Sequence, residues 1–216
     1  MLPNGTGQDF GRTHGIPRSF DEAVAVAVGG VPRPVDLGRA LFPGRAGEAS
    51  ARVFANVGSV GMSGAVARRA NAMSKRLGGR AVFYYALTRE FLAWENGAVS
   101  VLHDSGERRG RMHDVIVANG RWHGGGMKLA PDARADDGLF DIVLIGDVTK
   151  LDFVTTSPRL YSGGHVGHPR VDVLRSAAVA VEAAAPLPVE LDGEVAGTTP
   201  VRFEVLPGGL RLRGPA

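Results

Sequence analysis

Cysteine is absent from the 216-residue chain, which excludes disulfides and thiolate metal sites and fits a reducing cytoplasm. Long apolar runs are absent too: stretches such as Ala23 to Val28 are far too short to span a bilayer. The opening residues do not make the basic segment plus apolar run of a secretory signal. Aromatic residues are scarce, at 6%, and none interleave with the basic clusters as base-stacking side chains would, so nucleic acid is not an expected partner. Net charge is low, at +3, with arginine dominating the cations. What remains is an ordinary globular balance of 44% hydrophobic and 22% charged residues. A chain of this length can bury a real core, as one domain or two small ones.

The cations concentrate in two places: Arg68, Arg69, Lys75, Arg76 and Arg80 in "ARRANAMSKRLGGR", and Arg108, Arg109 and Arg111 in "GERRGR". The plain reading is a solvated helix face and a basic turn. The sharper reading is attraction to anionic lipid headgroups, roughly 1 kcal/mol per cation near the surface.

Along the chain, a glycine-rich opening (Gly5, Thr6, Gly7) precedes "SFDEAVAVAVGG". There Ser19 and Glu22 suggest a capping box and Gly29-Gly30 a helix stop. "VPRPVDLG" reads as a linker, because Pro32 and Pro34 block helix and central strand. Two helices are predicted next, in "MSGAVARRANAMSKRL" and in "AVFYYALTREFLAW", whose apolar face is Phe83, Leu87, Phe91 and Trp94. From about residue 98 the texture changes to β-branched runs split by turns: "AVSVLHD", "MHDVIVANG", "LFDIVLIG", "VDVLRSAAVAVEA", "LPVELDG" and "VRFEVLPGG". Such spacing predicts an antiparallel sandwich or barrel within an α+β chain, not alternating βαβ units.

Four stretches could carry chemistry. The opening loop could cradle phosphate, but it lacks the Gly-Lys-Ser/Thr of a Walker A loop and the spacing of GxGxxG. "HGGGM" (His123 to Met127) with "GMSGA" (Gly61 to Ala65) evokes an esterase. The glycine run follows the serine instead of preceding it, however, which argues against that enzyme. "PDARADDGLFD" gathers Asp132, Asp136, Asp137 and Asp141, suited to a hard cation or to a surface turn. "VELDGEVAG" sets Asp192-Gly193 between alternating residues, a strong two-residue hairpin signal, with Glu194 just after it. No histidine spacing suggests a metal, and His165 with His168 has no evident partner.

Taken in order, "LPNGTGQDFGRTHGIP", "VDLG", "ANVGSVGMSGAV", "VANGRWHGGGMKLAPDARADDGLFDIVLI" and "VELDGE" resemble the diacylglycerol kinase catalytic-domain family, specifically the soluble bacterial lipid kinases, from residue 2 to about 206. The resemblance implies ATP contact by the family's Gly-Thr-x-Asn-Asp loop, here Gly5, Thr6 and Asp9, with Gln8 where the family has asparagine. It implies a structural Mg²⁺ held by the Asp137 carboxylate and the backbone carbonyls of Arg134 and Leu139, and a base, Glu194, that takes the proton from a lipid hydroxyl. It also implies two parts: an α/β nucleotide domain, of which residues 1–34 are a remnant with 205–216 as a candidate addition, and a β-sandwich-like lipid-kinase domain over 35–204.

The family's phosphate-cradling Gly-Gly-Asp-Gly-Thr motif does not occur in the sequence. Two or three βαβ units of roughly 30 residues each would be needed to hold it. Met1 is therefore expected to be a misassigned start, with that motif encoded upstream, or a genuine truncation. The implied activity is transfer of the ATP γ-phosphoryl to a lipid such as diacylglycerol, absent from this chain alone. The competing reading is a non-catalytic β-domain remnant or lipid-binding module. A cytoplasmic protein touching the membrane peripherally, and a homodimer, are the corresponding expectations of place and assembly.

Overall fold

The computed structural model describes residues 1–3, 7–44, 50–73 and 79–215. Two antiparallel six-stranded sheets face each other. The first has the order β2 (Ser50–Phe54), β1 (Val31–Phe42), β12 (Val201–Gly214), β9 (Ala178–Ala183), β4 (Gly97–His103), β5 (Gly106–Met112). The second runs β11 (Glu194–Thr198), β10 (Pro188–Leu191), β3 (Val57–Gly61), β6 (Asp114–Ala118), β7 (Phe140–Ile145), β8 (Val171–Ser176). Short helices α1 (Asp9–Thr13) and α2 (Phe20–Gly29) precede the sheets, and α3 (Met62–Ala72), α4 (Gly79–Ala93) and α5 (Lys150–Thr156) decorate them. The expected α+β, sandwich-like architecture is what the chain adopts.

The core follows from strand periodicity. On β4, Val99, Val101 and His103 point inward while their neighbours face out, as alternation requires. The inner faces meet through Val179, Val181, Val201 and Phe203 on one sheet and Val115, Val117, Ile142 and Leu144 on the other. Phe54 stacks on Phe140 at 5.8 Å and meets Phe203 edge-on at 6.0 Å. The runs of β3, β6 and β7 do not alternate, because those strands are covered twice. Their second face (Val57, Ile116, Ala118, Val143) packs under Leu129, Ala130 and Ala133 of the 119–139 loop. A separate cluster joins α3, α4 and α5: Met62, Val66 and Ala86 are buried against Phe83, Leu87, Phe91, Trp94 and Phe153. That is the apolar face expected of α4.

Several expectations need correction. "VPRPVDLG" is no linker but the first part of β1, paired with β12 from Val31↔Gly214 to Val35↔Leu210. Pro32 and Pro34 lie two apart, so their missing N–H groups face one side, and β2 begins pairing only at Gly38. The prolines thus sit where the strand has an open edge. A boundary at 34/35 falls inside this strand, and the sandwich extends beyond 35–204 in both directions. Met1 to Pro3 form no strand. Ser19 makes no side-chain cap, whereas Thr149 and Asp152 form a capping box that starts α5. "GERRGR" is not a turn but edge strand β5, whose exposed arginines discourage edge-to-edge pairing. "VDVLRSAAVAVEA" is two strands: the chain leaves the second sheet after Ser176 and enters the first at Ala178.

Candidate active site

The Asp192–Gly193 hairpin is the centre of the site. Its two turn residues have φ of +50° and +91°, the left-handed pair that an Asp-Gly turn supplies between twisted strands. The Asp192 carboxylate accepts the backbone N–H groups of Ala55, Asn56 and Val57 at 2.7, 3.0 and 2.9 Å. The Asp192 N–H donates to the Val57 carbonyl at 2.9 Å. The turn is thereby clamped to the start of β3. Glu194 follows as the first residue of β11, opposite Leu191, with its side chain exposed.

Beneath the turn lies a polar group that sequence reasoning missed. Glu190 on β10 is 1% exposed and faces Ser59 directly across the β3 pairing. The Ser59 hydroxyl donates to Oε2 at 2.8 Å, and the Gly193 N–H donates to Oε1. His123 Nε2 lies 3.4 Å from Oε2. Burial by itself would lower the His123 pKa, but the charge and hydrogen bond of Glu190 overcome this and lift it to about 9. Burial likewise opposes the Glu190 carboxylate, and the His123 charge brings its pKa below the ordinary value. Asp114 on β6, fully enclosed, is pushed by burial up to about 7, against the opposing hydrogen bonds from Ser63. The only clue to this group was "VELDGE" placing an acid two residues before the turn.

His123 opens the glycine run, which is a tight loop closed by His123 N–H to Met127 carbonyl (2.9 Å) and Met127 N–H to His123 carbonyl (3.1 Å). Gly126 has φ +115° and lies so near Arg12 that a Cβ there would come within 2.7 Å of the guanidinium. The Arg12 guanidinium itself lies over Trp122. The Gly125 N–H donates to Asp9 Oδ2 at 2.7 Å, so the run anchors the start of α1 instead of forming an oxyanion hole. Ser63 gives its hydroxyl hydrogen bond to Asp114, and nothing of an esterase site remains. Of the expected nucleotide contacts, Gly5 and Thr6 lie outside the described residues. Asp9 is placed, and its Oδ1 has no hydrogen-bond partner among the described residues.

The acidic turn is organised by a second residue that sequence reasoning missed. Asp36 on β1 is buried and accepts the N–H groups of Gly138 (2.8 Å) and Gly208 (2.7 Å), while its own N–H donates to the Ala135 carbonyl (2.7 Å). It pins the turn to β1 and β12. Asp137 Oδ1 accepts the Leu139 N–H at 3.2 Å, and Oδ2 pairs with the Arg175 guanidinium. Arg175 also approaches Asp141, whose pKa burial raises. Among the described residues no three His, Cys, Asp or Glu side chains gather around a common point. No hydrogen bond to the carbonyls of Arg134 or Leu139 is seen there either. One carboxylate and two carbonyls are donors of the kind a hard cation takes, but both Asp137 oxygens are engaged here, by the Leu139 N–H and by Arg175. His165 is a core residue, its Nε2 3.0 Å from the Leu129 carbonyl.

Residues 56–214 match the family described as the YegS C-terminal NAD kinase beta sandwich-like domain. A probable lipid kinase YegS-like protein of Pseudomonas aeruginosa PAO1 is 36% identical over the whole chain, which covers 68% of it. A diacylglycerol kinase of Bacillus subtilis strain 168 is 24% identical over 94% of the chain and 64% of its own length. Among solved structures, a putative diacylglycerol kinase from Bacillus anthracis str. Sterne shares the fold with a TM-score of 0.76 and 22% identity, over 99% of this chain and 67% of that one. The chain thus spans about two thirds of the length of these relatives.

Proposed function

The chain belongs to the YegS-like lipid-kinase family, and from that premise we propose that it carries the lipid-side half of an ATP-dependent lipid kinase acting on a hydroxyl such as that of diacylglycerol. The observation that supports this most is the clamped Asp192–Gly193 turn, which leaves Glu194 exposed on a fixed strand end. In the proposed step, Glu194 takes the proton as the lipid hydroxyl oxygen bonds to the γ-phosphorus. The bond from that phosphorus to the β–γ bridging oxygen breaks, and ADP leaves. Such a transfer is driven by positioning and charge neutralisation, and a carboxylate base orients the nucleophile.

Gly5, Thr6 and Asp9 are the proposed nucleotide contacts. Asp137 with the Arg134 and Leu139 carbonyls is the proposed Mg²⁺ site, where the ion would stiffen the acidic turn. Tyr84, Tyr85 and Leu92 on α4 and Leu151 and Val154 on α5 are exposed apolar side chains that suit a lipid surface. Among the described residues no helix is long and apolar enough to cross a membrane. The 216 residues contain no Gly-Gly-Asp-Gly-Thr motif. We therefore propose that this chain by itself does not bind ATP with useful affinity.

The test is Glu194→Gln in a longer, kinase-competent form. The change is nearly isosteric and removes the proton acceptor, so turnover should fall by roughly 10²–10⁴ with ATP affinity kept. Near-normal turnover would return Glu194 to a solvated residue after a hairpin. For the chain as it stands, calorimetric titration with ATP and Mg²⁺ should show no saturable micromolar binding. Such binding would mean that these residues hold the nucleotide without that motif.

A further inference from the structure

We propose that His123 is a positioning residue: through Glu190 it holds the Asp192–Gly193 turn, and so ties the setting of Glu194 to Asp9 at the start of α1. This rests on the reading of Glu194 as the base and names what orients it.

The linkage is continuous. Asp9 Oδ2 holds the Gly125 N–H at 2.7 Å. Gly125 lies in the loop that the His123–Met127 pair closes. His123 Nε2 reaches Glu190 Oε2 at 3.4 Å, and Glu190 Oε1 holds the Gly193 N–H, one residue before Glu194. A buried carboxylate keeps its charge only with a partner, and removing one member of such a pair leaves the other uncompensated. Four carboxylates act electrostatically on His123: Asp9 at the start of α1, Asp114 on β6, Glu190 on β10 and Asp192 in the turn. The neighbouring cations, Arg12 and Lys128, are directed at Trp122. His123 is therefore the group that keeps Glu190 ionised, and an ionised Glu190 is the stronger acceptor for Gly193.

This predicts a shared titration. In carbon-detected NMR of the full chain, the His123 ring should titrate near pH 9, and the backbone carbons of Gly193 and Glu194 should report the same midpoint. In Glu190→Gln the His123 midpoint should fall well below 9, because burial is then opposed only by the weaker pull of Asp9, Asp114 and Asp192. The Gly193 carbons should then cease to follow it. A wild-type His123 midpoint near 6.5, or Gly193 and Glu194 carbons indifferent to His123, overturns the proposal, and neither observation depends on a variant folding. The measurement needs neither ATP nor lipid. If the shared titration appears while Glu194→Gln keeps its turnover in the longer form, the base reading falls and the His123–Glu190–Gly193 linkage stands.

Discussion

Replacing Asp192 is the sharpest test of how this fold builds its site. Its carboxylate accepts three backbone N–H groups, from Ala55, Asn56 and Val57, at a partly exposed position with φ of +50°. A net value of about 1 kcal/mol per bond, somewhat more for a charged acceptor, gives about 2–4 kcal/mol for the three. Asp192→Ala loses these and keeps the cost of a Cβ in left-handed backbone, which the wild type already bears. Asp192→Gly loses the bonds without that backbone cost. The expected order of stability is wild type, Asn, Gly, Ala, because asparagine tolerates the backbone and keeps one acceptor oxygen. Urea unfolding with a slope of about 2–3 kcal/mol per molar should place the alanine midpoint lower by about 1–2 M. If Asp192→Ala, which leaves the backbone cost unchanged, unfolds within about 0.5 kcal/mol of wild type, the three bonds contribute nothing net, and the turn is held by the β10–β11 pairing alone.

Other expectations follow from the same geometry. Asp137→Ala should lower the melting temperature more in Mg²⁺ buffer than in EDTA, and equal losses would mark a plain surface turn; in Arg175→Met, which frees the carboxylate, added Mg²⁺ should stabilise more than it does in wild type. Asp36→Ala should cost about 2–4 kcal/mol, since it orphans the N–H groups of Gly138 and Gly208 at a buried site, and urea midpoints read this directly. Stability should also depend on pH in two windows. Asp114, raised to about 7 by burial, contributes fully below its unfolded value, and the contribution is lost as pH rises through 7. His123, raised to about 9, contributes fully below 6.5, and the contribution is lost on the way through 9. Asp114→Asn should flatten the first slope and His123→Gln the second in urea midpoints taken across pH.

The parts of the fold that rest on local rules were legible in the residues alone. Alternating β-branched residues marked β4, β9 and β12, the four-residue spacing of Phe83, Leu87 and Phe91 marked the buried face of α4, and Asp-Gly marked the hairpin. Each signal is carried by residues a few positions apart, so the chain's own geometry settles it. Family motifs then placed Glu194, Asp9 and Asp137 in order. Tertiary structure alone decided what depends on distant partners. Pro32 and Pro34 read as a linker until β12, some 180 residues later, paired with their strand and left the side of the missing N–H groups open. The break after Ser176 is set by which sheet each half completes. Glu190 looked like one more strand residue. It became the hub of the site because β3 set Ser59 opposite it, the 119–139 loop delivered His123, and burial made its charge depend on both. A hydrogen bond costs the same sequence information whether its partner is two or seventy residues away, but only folding reveals the second kind.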